Sequence, residues 1–147
     1  YGESSSSKLH SGLGTDRLLA EWWLVSDKVK TVIDGHTHDP VKGPYAKGVN
    51  INRTERDEQG LLLPEEPDLT LTDDVLLLEI PDDIEKMKCS NIEAARKWRT
   101  LVQKAFLYYF NAGYYVSSLK VEREDAARRT YYVLERLTKP YRPMTCD

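Results

Sequence analysis

The sequence predicts an α+β domain: a mixed or antiparallel sheet with one long helix packed on one face. Three observations predict it. Arg17–Leu24 and Val75–Ile80 have the composition of strands, one alternating and one almost wholly apolar. Asn91–Ala112 repeats its apolar residues at helical spacing, and a second pair of strand-like runs, Tyr114–Glu122 and Arg129–Leu137, follows it. The 147 residues, 40% hydrophobic and 10% aromatic, are enough for one domain with a core. No repeat of fixed period occurs.

Residues 1–14 contain Ser4 to Ser7 and three glycines and read as an extended lead-in. In Arg17–Leu24, Leu18, Ala20, Trp22 and Leu24 share one face, and Arg17, Leu19, Glu21 and Trp23 the other. Trp22 and Trp23 therefore point to opposite sides, one to the core and one to a pocket or interface. Ser26 is placed to cap a short helix, Asp27–Asp34, with Gly35 as its C′ residue. Residues 36–74, rich in proline, glycine and acid, predict a long excursion with a loose hairpin from Val49–Arg53 to Leu61–Leu63. Val75–Ile80 is so continuously apolar that it belongs in the middle of a sheet.

Pro81-Asp82-Asp83 starts a short helix, and Ser90 with Glu93 has the spacing of a capping box for a longer one. The stripe of that helix runs Ala95, Trp98, Leu101, Val102, Ala105, Tyr109 and Ala112, and Gly113 stops it. At ~1.5 Å per residue it spans about 33 Å, enough to cross a sheet. The closing strand pair turns at Arg123 to Arg128. The predicted order is β-α-excursion-β-α-β-β.

Lysine plus arginine is 21 and aspartate plus glutamate 24, a net charge of −3 that conceals an asymmetry. Residues 36–83 hold twelve acids against four bases, and residues 84–147 thirteen bases against seven acids. Two readings compete: the halves attract each other within one fold, or the basic half steers an anionic partner. Cys89 and Cys146 are too few for a disulfide scaffold, and the composition is that of a cytoplasmic protein. No apolar run reaches ~18 residues and no leader pattern is present, so neither a membrane nor secretion is expected. The first residue is Tyr1, which predicts a fragment or processed piece with some of its chemistry encoded elsewhere.

Several motifs suggest chemistry that their context does not support. His36-Thr37-His38 looks like the metal-binding His-x-His of amidohydrolase barrels, but the only other histidine is His10, and such a barrel needs ~250 residues. No metal is expected. Gly12-Leu13-Gly14 lacks the strand before and helix after that a phosphate cradle requires, and reads as a turn. Arg96, Lys97, Arg99 and Lys104 form a basic flank on the long helix near Arg123, Arg128 and Arg129, suited to phosphate or to plain solvation. Tyr108, Tyr109, Tyr114, Tyr115, Tyr131 and Tyr132 suit a helix–sheet core with hydroxyls at its rim, a binding cleft, or a phenolic acid. No nucleophile-elbow pattern is present, and Cys89 sits beside a helix cap.

Two longer strings carry a family resemblance. Tyr1-Gly2, Ser5-Ser6, Leu9-His10, Gly12-Leu13 and Thr15-Asp16-Arg17-Leu18 through Ala20-Glu21-Trp22-Trp23 form the first. Glu79-Ile80-Pro81, Asp83-Ile84, Ala95, Trp98-Arg99, Phe106, Phe110 and Gly113-Tyr114 with Val116 form the second. Together they resemble the C-terminal part of an uncharacterised branch of the GNAT acyltransferase superfamily. The resemblance implies that residues 1–35 hold the last strand and helix of a GNAT-like core. Residues 36–74 would then be an acidic excursion, and 75–147 an appended β-α-β-β lobe. It implies acyl-CoA, acetyl-CoA included, as donor and a small-molecule amine as acceptor. The Arg/Gln-x-x-Gly-x-Gly/Ala loop that holds the CoA pyrophosphate lies upstream in that branch. Leu9-His10-Ser11-Gly12-Leu13-Gly14 lacks the Arg/Gln and the helix, so the donor is expected on an N-terminal half of the same protein.

On this reading the chain contributes acceptor-side surface and a structural lobe, with Asp16, Glu21 and Trp23 as candidate acceptor-binding residues and no catalytic residue assigned. Asp16 stands where a carboxylate can hold an ammonium, and Glu21 shares a strand face with Trp23. The alternative is a non-enzymatic binding or regulatory module that recognises an anionic ligand through Arg96 and Arg99. Nucleic acid is not the expected partner. An unpaired strand Arg17–Leu24 would also favour a homodimer.

Overall fold

A strand with a run of apolar residues as continuous as Val75–Leu78 needs cover on both faces, and it has it. The computed structural model describes residues 18–20, 27–35, 47–58, 60–124 and 127–137. Among these the elements are α1 (Asp27–Ile33), β1 (Val49–Asn50), β2 (Thr54–Arg56), β3 (Leu62–Pro64), β4 (Val75–Ile80), α2 (Ile84–Ser90), α3 (Ile92–Asn111), β5 (Tyr114–Glu124) and β6 (Ala127–Arg136). The main sheet has the order β1-β4-β6-β5, and β2 and β3 form a separate ribbon. β1 runs parallel to β4, while β4–β6 and β5–β6 are antiparallel. The fold is α+β with a mixed sheet and a long helix. Because β6 lies antiparallel between them, β4 and β5 are parallel, and the helices connect them as a split β-α-β unit.

The core follows from a side-chain period of two. Leu76 and Leu78 turn to the α3 side and cluster with Ile51, Ala105, Tyr109, Tyr114 and Leu134. Leu77 turns the other way and packs with Tyr131 and Val133. α3 buries Ala94, Ala95, Trp98, Leu101, Ala105 and Tyr109, with alanine at two of the most buried positions so that the helix lies close. Gly113 ends it at φ +85°, as expected of a residue that must enter the left-handed region. Gly35 likewise closes α1 at φ +81°, while its expected cap Ser26 lies outside the described residues.

Four local expectations are corrected. The cap of α3 is Asn91, whose side chain accepts from the Ala94 amide at 3.0 Å; Ser90 ends α2, and its hydroxyl donates to the Met87 carbonyl. Asparagine and serine are equivalent caps, and Asn91 also closes α2 through its own N–H. The excursion's hairpin pairs Thr54–Arg56 with Leu62–Pro64, while Val49–Asn50 joins the main sheet instead. Gly48 permits this, since a Cβ there would lie 2.7 Å from Leu77 Cγ. The β5–β6 ladder continues to Glu124↔Ala127, so Arg123 and Arg128 are paired residues rather than turn. In the expected strand Arg17–Leu24, the described residues Leu18–Ala20 lie in no strand.

Part of the charge asymmetry is met within the fold. Lys104 reaches Glu66 at 2.7 Å, Arg129 reaches Glu79 at 2.8 Å and Arg128 reaches Asp82 at 3.0 Å, each joining the basic half to the acidic segment.

Candidate functional site

Two polar or concave features stand out, and their chemistry differs. The first is a buried polar network behind β4. Glu79, 1% exposed, accepts from Arg129 through both carboxylate oxygens, each at 2.8 Å. The Thr54 hydroxyl donates to Glu79 Oε2 at 2.7 Å and accepts from the same guanidinium at 3.0 Å. The Asn52 side-chain amide bonds both the N–H and the C=O of Glu79. The carboxylate accepts three hydrogen bonds and the hydroxyl both donates and accepts, so the network ties the sheet to residues 52–54.

The second feature is a cleft. Pro81 lacks the N–H that would extend β4, and Asp83 caps α2 by accepting from the Lys86 amide at 2.8 Å. The chain therefore turns away just where α3 passes over the sheet. A cleft of about 230 Å³ remains, lined by Leu18, Ile80, Pro81, Ile84, Trp98, Arg99, Val102, Gln103, Phe106 and Tyr132. Trp98 is a fixed wall, because its ring is buried and its indole N–H donates to the Leu62 carbonyl at 2.9 Å. Phe106 stacks on Phe110 and meets the edge of Tyr132, with centroids 5.0 and 5.3 Å apart. Arg99, Gln103 and Phe106 follow at i, i+4 and i+7 along one helix face.

The lining is apolar with three donors: the half-buried Arg99, the exposed Gln103 and the phenol of Tyr132. Among the described residues it includes no carboxylate. A cavity of ~150 Å³ accommodates a benzene ring, so 230 Å³ has room for a ring with a short chain. The described residues do not fit the pyrophosphate of CoA. The first turn of α3 carries Glu93, and α2 begins with Asp83 and Glu85, so carboxylates already occupy both helix starts.

Of the predicted site residues, Asp16, Glu21 and Trp23 lie outside the described residues, as do Gly12, Gly14, His36 and His38. Arg96 and Arg99 are not brought to one site: Arg96 pairs with Glu93 at 2.8 Å, while Arg99 lines the cleft. Cys89 is a free, exposed thiol. Among the described residues no group of three or more His, Cys, Asp or Glu could hold a metal, and no helix is long and apolar enough to cross a membrane. The tyrosines divide. Tyr109 and Tyr114 donate to the carbonyls of Asp68 and Asp73, and burial raises both, Tyr109 to about 12. Tyr132 alone of the predicted tyrosines lines the cleft. Asp68 is held below the ordinary carboxylate range by hydrogen bonds from the Thr70 hydroxyl and amide.

Comparison with protein-family models, curated proteins and solved structures finds no match. The cleft is therefore read on its own chemistry. Gln103 was not singled out from the sequence; the available signal was a second stripe on α3 beside the core stripe.

Proposed function

We propose that this chain is the C-terminal portion of a GNAT-like acyltransferase and that its cleft is acceptor-side surface. One observation carries the reading. Leu18 comes from the first string of resembling residues, and Ile80, Pro81, Ile84, Trp98, Arg99 and Phe106 from the second; all of them line one cleft. In the proposed reaction the acceptor nitrogen attacks the thioester carbonyl of acyl-CoA. The C–N bond forms, the C–S bond breaks, and the departing thiolate takes up the proton released by the amine. Proximity of the two bound substrates supplies much of the rate. On this reading the acceptor binds in the cleft and acyl-CoA binds on an N-terminal half of the same protein, in the cytoplasm.

The test pairs the natural full-length protein with this 147-residue chain. Full-length protein is expected to bind acetyl-CoA and release free CoA thiol in the presence of amines, while the chain alone shows no tight acetyl-CoA binding. Tight binding by the chain alone, or no thiol release by the full-length protein, overturns the proposal.

A further inference from the structure

We infer that the cleft is a site for one aromatic ring, and that the acceptor is anchored by such a ring. The ring site rests on the cleft itself; its use by the acceptor rests on the acyltransferase reading. The cleft's volume of about 230 Å³ compares with the ~150 Å³ that takes benzene. Three of the residues that line it, Trp98, Phe106 and Tyr132, are themselves aromatic. Phe106 contacts two other rings, stacked on Phe110 at 5.0 Å and 21° and edge-on to Tyr132 at 5.3 Å and 62°. Trp98 is 1% exposed and its indole N–H is tied to the Leu62 carbonyl, so its ring is held in place. Walls fixed in this way exist before a ligand arrives, and binding requires little further ordering of them.

The same walls favour a ring over an aliphatic group of like size. Phe106 and Tyr132 already meet edge to face, the geometry in which the positive rim of one ring meets the negative face of another. A third ring entering beside them extends that array, whereas a saturated ring gains only the burial of its surface. Pro81 and Ile84 add aliphatic surface, and Pro81 is conformationally rigid. Recognition draws on rings and aliphatic groups alone, so Arg99 and Gln103 keep the partners they already have.

Binding is read on the isotope-labelled 147-residue chain through the Trp98 indole N–H signal, assigned with Trp98→Phe, during titration with benzyl alcohol or cyclohexylmethanol. The two probes are neutral and differ in whether the ring is aromatic. Benzyl alcohol is expected to shift the signal to saturation and to give nuclear Overhauser contacts to the Ile84 methyls. In Phe106→Leu the ratio of the two Kd values is expected to move towards cyclohexylmethanol by about 2- to 12-fold, the worth of one aromatic pair beyond its area. Ile84→Phe fills the cleft from the first residue of α2 and is expected to abolish binding of both probes while the Trp98 signal persists. The ring site is overturned if benzyl alcohol gives no saturating shift, if it makes no contact with Ile84, if the ratio is unchanged in Phe106→Leu, or if Ile84→Phe binds as the parent does. Ring binding without thiol release by the full-length protein removes the enzyme reading and leaves the ring site. Thiol release that Ile84→Phe does not alter leaves the enzyme reading and removes the ring as the acceptor's anchor.

Discussion

Replacing Glu79 by alanine tests whether the polar network is the lock that holds the excursion to the sheet. The carboxylate is 1% exposed and accepts two guanidinium bonds of 2.8 Å and one hydroxyl bond of 2.7 Å. Removing one partner of a buried pair costs ~3–5 kcal/mol, because the other charge is left without compensation. The Arg129 side chain is 29% exposed, so water takes up part of its charge and the lower end, about 3 kcal/mol, applies. Against a total stability of ~5–15 kcal/mol this is severe but survivable. In urea, with a slope of about 2 kcal/mol/M, the unfolding midpoint falls by about 1.5 M. The double change Glu79→Leu with Arg129→Leu removes both charges together and is expected to recover most of the loss. A midpoint shift below about 0.5 M for Glu79→Ala, or a double variant as unstable as the single one, would refute the reasoning.

At alkaline pH the chain is expected to lose stability through Tyr109. Its phenol ionises at about 12 when folded and near ~10 when unfolded, so the stabilisation is complete below pH ~10 and lost as pH rises towards 12, about 2–3 kcal/mol in all. Phenolate absorbance and alkaline unfolding of Tyr109→Phe check this, the variant unfolding at higher pH. Gly113→Ala is expected to cost about 1–2 kcal/mol in thermal or urea unfolding, purely from backbone strain, since an added Cβ meets nothing within 4 Å. Polyanions are expected to bind neither tightly nor with steep salt dependence, because Lys104, Arg128 and Arg129 already face acids. A steep salt slope for heparin or single-stranded nucleic acid, lost on Arg96→Ala and Arg99→Ala, would restore the binding-module alternative.

What the sequence made legible is what local pattern determines. Val75–Leu78 announces a strand covered on both faces, and the stripe from Ala95 to Tyr109, ended by Gly113, announces α3, because both signals repeat within a few residues. The two-residue β1 was not legible, since it depends on Gly48 passing Leu77 and on the Ile51 amide reaching the Leu77 carbonyl, contacts remote in sequence. Nor was the cap of α3, where Ser90 and Asn91 offer equal chemistry and only the end of α2 decides. In the site, Arg99 and Tyr132 each belonged to a group singled out by composition. Their convergence arises from where β4 stops beneath α3, which no periodicity encodes. Glu79 was hidden for the same reason: its partners Asn52, Thr54 and Arg129 lie 25 to 50 residues away.

The acid-rich excursion acquires a purpose from these ties. A helix resting on small residues such as Ala95 and Ala105 has little to stop it rolling over the sheet. Residues 61–74 supply the stop at both ends of α3. The Leu62 carbonyl holds the Trp98 indole, Glu66 holds Lys104, and the carbonyls of Asp68 and Asp73 hold the hydroxyls of Tyr109 and, just beyond the helix, Tyr114. The neutral bonds contribute ~1 kcal/mol each and the exposed ion pair less. Their value lies in direction, because together they fix the rotation about the helix axis and so which side of α3 looks into the cleft. With that rotation set, Arg99, Gln103 and Phe106 are presented as one row above Ile80 and Pro81. The excursion thus shapes the site from behind, and none of its described residues contributes to the lining.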